Sequence, residues 1–190
     1  GGHEFPYGRT KAEAERVLHA LTTPAFAPTI VRPGLMPYGP GDRLASAGLL
    51  AAVTRGVPVL IDGGHALLST AYIDNLVDGL LACLDHPSAP GETFHLADDV
   101  RVTWRDLVST MADALGGAPP ARSVPRWLAA PAAAALEAAW LMLRRPTPPP
   151  LTRYRIRTAI SDLHFANAKA KRVLGWSPCI DLPAGLAATV

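Results

Sequence analysis

Nineteen prolines in 190 residues decide most of what this chain can become. Proline lacks a backbone donor and is disfavoured in helix interiors and central strands, so the chain is expected to fold as short elements joined by turns. With 49% of residues hydrophobic, those elements have enough apolar surface to build a sizeable core. The length suits one domain, or two halves of a larger one. Eighteen Lys and Arg against sixteen Asp and Glu give a net charge of +2, which makes no electrostatic case for nucleic acid. The two cysteines, Cys83 and Cys179, stand in unrelated contexts that suggest neither a disulfide framework nor a metal site. A reduced, cytoplasmic setting is expected, and no signal peptide is visible. Six histidines are scattered without metal-ligand spacing, so no metal is expected.

The run from Pro6 to about Leu21 predicts a helix with proline in its first turn. Residues four apart on a helix share a face, with Cβ atoms about 5–6 Å apart, so Tyr7 and Lys11 point the same way. An ammonium fixed beside a phenol favours the phenolate, which suits it to exchange a proton with an alcohol or carbonyl. Alone, Tyr-x-x-x-Lys equally describes an exposed tyrosine followed by a solvated lysine.

Thr29-Ile30-Val31 predicts a buried parallel strand ending at Arg32-Pro33-Gly34, followed by a turn-rich loop through Asp42. Leu44 to Arg55 reads as a helix, Pro58 to Ile61 and Ser69 to Ile73 as strands, and Asp74-Asn75 as a helix start with Asp74 as N-cap. Glu92 to Leu96 is a further strand, and Thr103 caps a helix from Trp104 to Leu115. Trp127 to Leu143 is apolar, and it reads first as a buried helix or a lid over a site, second as a peripheral membrane contact. Asn167 to Leu174 is a short helix, and Leu182 begins a last one. Asp98-Asp99 reads as a solvated turn. Ser69 and Thr70 have no base nearby in sequence, and Arg153, Arg155 and Arg157 alternate as on a charged edge strand. Lys169, Lys171 and Arg172 read as the wet face of a helix. Helices alternating with short buried strands predict an α/β fold.

The ordered set Tyr7-x-x-x-Lys11, Ile30-Val31-Arg32-Pro33-Gly34, Tyr38-Gly39-Pro40-Gly41-Asp42, Tyr72-Ile73-Asp74-Asn75 and Leu174-Gly175-Trp176-Ser177-Pro178 resembles the extended short-chain dehydrogenase/reductase superfamily. Asn75, the apolar segment 127–143 and Pro149-Pro150-Leu151-Thr152 resemble its 3β-hydroxysteroid dehydrogenase branch. That resemblance implies a Rossmann-like parallel sheet with a smaller α+β substrate domain, binding NAD or NADP. Residues 1–35 and about 66–90 would be the C-terminal part of the nucleotide domain. Residues about 36–65 and 91–190 would form the substrate domain, including the apolar helix. Tyr7 would be the catalytic acid/base, and Lys11 would hold the nicotinamide ribose. Pro33 and Gly34 would pass close to the nicotinamide, and Leu35, Met36 and Leu68 would meet the substrate.

The glycine-rich phosphate-binding fingerprint is absent from this sequence, and so is the Ser or Thr that completes the family's catalytic group. The sequence opens without a methionine just ahead of a helix, and reads as a fragment lacking upstream elements. Nucleotide-sugar epimerases of the superfamily carry an Asn and an Arg where this chain has Leu35 and Leu68. A buried diphosphate without a cation is costly, so a hydrophobic, sterol-like alcohol fits better. Three readings stay open: an oxidoreductase interconverting a secondary alcohol and a ketone, a nucleotide-sugar epimerase or dehydratase, and a cofactor-less interaction module. The resemblance also implies a homodimer in the full-length protein.

Overall fold

A computed structural model describes residues 6–43, 46–56, 60–119, 122–147 and 149–190. In chain order the helices are α1 (Pro6–Ala20), α2 (Ala47–Thr54), α3 (Ile73–Asp85), α4 (Trp104–Ala114), α5 (Arg126–Met142), α6 (Arg153–Ile160), α7 (Ala168–Leu174) and α8 (Leu182–Thr189). The strands are β1 (Ile30–Pro33), β2 (Met36–Tyr38), β3 (Leu60–Ile61), β4 (Leu67–Leu68), β5 (Thr70–Tyr72), β6 (Thr93–Leu96), β7 (Val102–Thr103) and β8 (Ser123–Val124). Prolines help keep some of them short: Pro33 ends β1, Pro37 lies within β2 and Pro125 follows β8.

Strands β1 and β6 pair in parallel, Ile30 opposite Thr93 through Pro33 opposite Leu96. Helices α3 and α7 pack onto this pair through Cys83, Phe94, Leu96, Ala170, Leu174 and Trp176. The approach is close because Gly79 has no side chain: a Cβ there would sit 2.6 Å from Leu96 Cδ1. Strands β2 and β5 form a second parallel pair over a core that includes Met36, Tyr38, Leu68, Tyr72, Leu107 and Leu186. Each fully buried side chain such as Leu107 or Phe94 contributes about 1.5–3 kcal/mol. A third group joins β3 and β8 in parallel beside α5 and α6, around Ala129, Ala133 and Ile156. Strands β4 and β7 pair antiparallel.

Several sequence expectations change here. Strand β6 pairs with β1, and helix α7 packs against that pair. Arg153, Arg155 and Arg157 lie on helix α6, because the Thr152 hydroxyl accepts the Arg155 N–H at 3.1 Å and starts a helix where alternation suggested a strand. The strand expected over 69–73 is shorter, with β5 covering only Thr70–Tyr72, and helix α3 already begins at Ile73. Its N-cap is Tyr72 rather than Asp74. Helix α5 is not buried: Ala129 and Ala133 face the protein, while Trp127 and Leu141 stand in solvent. Lys169 and Lys171 are not simply solvated but pair with Glu92 at 2.6 Å and Asp99 at 2.5 Å, fastening α7 across β6. The starts of the predicted 44–55 helix and 58–61 strand lie outside the described residues.

Candidate active site

Helix α1 carries Tyr7 and Lys11 on one face, as the four-residue spacing requires. The Lys11 ammonium stands 5.8 Å from the centre of the Tyr7 ring. Tyr7 is 65% exposed, and neither its hydroxyl nor the Lys11 ammonium is tied up in a hydrogen bond or ion pair among the described residues. A helix leading into a parallel strand runs back along it, which puts its first turn near the strand's carboxyl end, where ligands of open α/β sheets sit.

Helix α1 is fixed to that strand by Arg32, which grips Glu15 with Nε 2.8 Å from Oε1 and a second nitrogen on Oε2. The Arg32 bond holds the Glu15 carboxyl below the usual carboxylate range. Opposite Arg32 on β6, His95 stacks on Phe165 with ring centres 5.2 Å apart. Burial first, and then the Arg32 charge, hold the His95 imidazole below its ordinary range, and its buried Nδ1 has no hydrogen-bond partner.

Beyond Arg32, Pro33 is exposed and Gly34 is buried. The Gly34 N–H donates to the Leu96 carbonyl at 2.8 Å. A Cβ on Gly34 would lie 2.6 Å from the Thr70 carbonyl oxygen, so the close approach of β5 alone requires glycine there. Leu35 is half-buried against the core, whereas Met36 is buried and Leu68 is 0% exposed, both within the central apolar cluster. The structure thus brings Tyr7 and Lys11 together, places Pro33 and Gly34 at the strand end, and commits Met36 and Leu68 to packing.

The chain is 34% identical over 129 residues to the UDP-glucose 4-epimerase of Vibrio cholerae, taking in 65% of this chain and 38% of that enzyme. It is 27% identical over 201 residues to 3beta-hydroxysteroid-dehydrogenase/decarboxylase isoform 2 of Arabidopsis thaliana, covering 99% of this chain and 35% of that protein. Among solved structures, UDP-glucuronic acid 4-epimerase from Bacillus cereus in complex with NAD matches with a TM-score of 0.70 at 20% identity, over 97% of this chain and 51% of that one. By sequence and by fold the chain is similar to epimerases and dehydrogenases of the extended short-chain dehydrogenase/reductase superfamily. No family model matches it. It spans well under two thirds of the two curated relatives.

Sequence reasoning missed a buried polar cluster beside β5. Asp98 is not in a solvated turn: its carboxylate accepts the Thr70 hydroxyl at 2.8 Å, the Tyr72 N–H at 3.1 Å and the Asn75 amide at 2.9 Å. The Asn75 side chain also accepts the N–H groups of Cys179 and Ile180 at 3.0 Å and donates to the Ile180 carbonyl at 2.7 Å. Nearby, Tyr38 has its phenol raised far above its ordinary range, by burial first and then by the facing Asp98 charge. Ser69 does meet a histidine, with His164 Nδ1 3.4 Å from its oxygen, but that oxygen is buried and accepts the Phe165 N–H. A cleft of about 290 Å³ lined by Asp62, His65, Arg126, Ile160 and Asp162 contains none of the predicted site residues.

Proposed function

We propose that this chain carries the proton-transfer end of an NAD(P)-dependent oxidoreductase that interconverts a secondary alcohol and a ketone on a hydrophobic, sterol-like substrate. The observation that carries the reading is the Tyr7–Lys11 pair, unencumbered on a helix that Glu15 and Arg32 tie to the end of β1. The free phenol and ammonium fit the nicotinamide-ribose end of the cofactor. The pyrophosphate end has no glycine-rich loop in this sequence. NAD or NADP, when bound, supplies the hydride acceptor or donor.

Tyr7 takes the proton from the substrate hydroxyl during oxidation and returns it to the carbonyl oxygen during reduction. Lys11 stabilises negative charge developing on the phenol oxygen and donates to the ribose hydroxyls. The helix holds both groups on one face, one turn apart, so the proton-transfer geometry precedes substrate binding. Leu35 meets the apolar substrate at the rim, with Met36 and Leu68 backing it from the core. A fully buried leucine at position 68 leaves no cation there for a sugar diphosphate, which favours the sterol-like class over an epimerase substrate. By the same reading, the full-length enzyme is a homodimer.

The test uses the longer polypeptide that joins this segment to a glycine-rich βαβ unit. Incubated with NAD and either a 3β-hydroxysteroid or UDP-glucose, it produces NADH with the steroid alone. Epimerised sugar without net NADH would replace this reading with the epimerase one.

A further inference from the structure

The solvent-facing side of α5 has no polar side chain from Trp127 to Leu143: every exposed residue in that stretch is Trp, Leu, Met, Ala or Pro. Trp127 is 74% exposed, Leu141 81% and Met142 78%. The opposite side, Ala129 and Ala133, packs against Ile156. Glu137, the one polar residue in the stretch, accepts the Arg153 backbone N–H at 2.8 Å and its Nε at 2.7 Å, so its charge is met within the protein. A continuous apolar face of this kind marks an interaction surface.

The ends of the helix say what covers it. Arg122 and Arg126 precede the apolar face, and Arg144 and Arg145 follow it, all exposed. Over residues 122–157 there are seven arginines and one acidic residue, Glu137. Arg144 has φ 48°, in the left-handed region that favours glycine. Its N–H donates to the Leu141 carbonyl at 3.1 Å, and the Arg145 N–H donates to the Trp140 carbonyl at 3.2 Å, closing the helix end. Arg144 and Arg145 form no ion pair among the described residues. No described helix is long and apolar enough to cross a membrane. A 17-residue helix about 25 Å long, apolar outward, with tryptophan at one end and arginines at both, suits the plane of a lipid–water interface.

We infer that α5 is an interfacial anchor, seating Trp127, Leu128, Leu141, Met142 and Leu143 at the acyl boundary of an anionic bilayer while Arg144 and Arg145 meet lipid phosphates. This goes beyond the proposed oxidoreductase chemistry and does not depend on it. It would place the rest of the protein against the phase in which apolar alcohols dissolve.

Flotation of the 190-residue chain with vesicles of phosphatidylcholine and phosphatidylglycerol tests it. The chain floats with the mixed vesicles, less with phosphatidylcholine alone, and less again in high salt. W127S/L141S/M142S replaces only exposed side chains, keeps the far-UV circular dichroism of the wild type, and lowers binding at least about tenfold. R144S/R145S loses about fivefold per arginine on anionic vesicles and little on neutral ones. Bromolipids quench tryptophan emission in the wild type, and much less in W127F. Absence of flotation with anionic vesicles overturns the inference, as does a triple-serine variant that floats like the wild type. A dimer in sedimentation equilibrium that the triple-serine change dissolves, with vesicles left unbound, assigns the face to a second copy instead.

Discussion

Glu15 and Arg32, seventeen residues apart in sequence, make a two-point ion pair that sets the height of α1 along β1. Lys11 and Tyr7 lie one and two turns before Glu15, about 6 and 12 Å along the axis. The pair therefore determines where the phenol stands relative to Pro33 and Gly34. Both side chains are partly exposed, so Glu15→Gln costs at most about 1 kcal/mol of stability. Turnover in the full-length enzyme falls further than that, because a misplacement of about 1 Å can cost about a hundredfold. Thermal melting and steady-state kinetics on one preparation separate the two; equal small losses in both would leave Glu15 purely structural.

Tyr7→Phe removes one exposed oxygen and leaves the melting temperature within the scatter of surface substitutions, about 0.5 kcal/mol. Alcohol oxidation by the full-length enzyme drops about 10²–10⁴-fold. A phenylalanine variant of undiminished rate removes Tyr7 from the chemistry.

Asn75→Ala strands several buried groups at once: the N–H groups of Cys179 and Ile180, the Ile180 carbonyl and one Asp98 oxygen. Unpaired buried groups cost about 1–3 kcal/mol each, and with water entering near the rim the expected total is about 3 kcal/mol. The urea midpoint reads it directly. A loss below about 1 kcal/mol means the cluster is not closed in solution.

Stability rises with pH across the acid range. His95 is held below its ordinary imidazole range, so its neutral form is favoured on folding. Its contribution is fully present above about pH 6.5 and is lost as pH falls through the folded value. Glu15, Asp106 and Glu137 are held low by Arg32, Thr103 and Arg153 respectively, and their contributions are lost further down in the same direction. Urea midpoints measured between about pH 7.5 and 4.5 decline on acidification. His95→Gln flattens the upper part of that decline; a wild-type midpoint that climbs on acidification contradicts the assignment.

What could be read from sequence was local. Thr103 announces its helix because its hydroxyl accepts the Asp106 N–H while Asp106 answers Thr103, a device contained within four residues. The shared face of Tyr7 and Lys11 was legible for the same reason. Asp98 was not, since its donors lie 23 to 28 residues upstream and nothing beside it in sequence hints at burial. Ser69 and His164 meet across 95 residues, equally beyond local pattern. The arginines of α6 misled because alternation imitates a strand, while the decisive signal was the capping hydroxyl of Thr152 just before them. Helix α5 was legible as a helix but not as an outward-facing one, because alanines pack inward as readily as leucines.

The bonds from Asn75 to Ile180 span 105 residues, and Trp176 donates to the Asn75 carbonyl at 3.1 Å from the same late segment. Strands β1 and β6 thus wait, half-covered, until synthesis has delivered residues 176–180. During that interval Phe94 and Leu96 lack their Trp176 neighbour, and the nascent polypeptide offers holdase chaperones an apolar target.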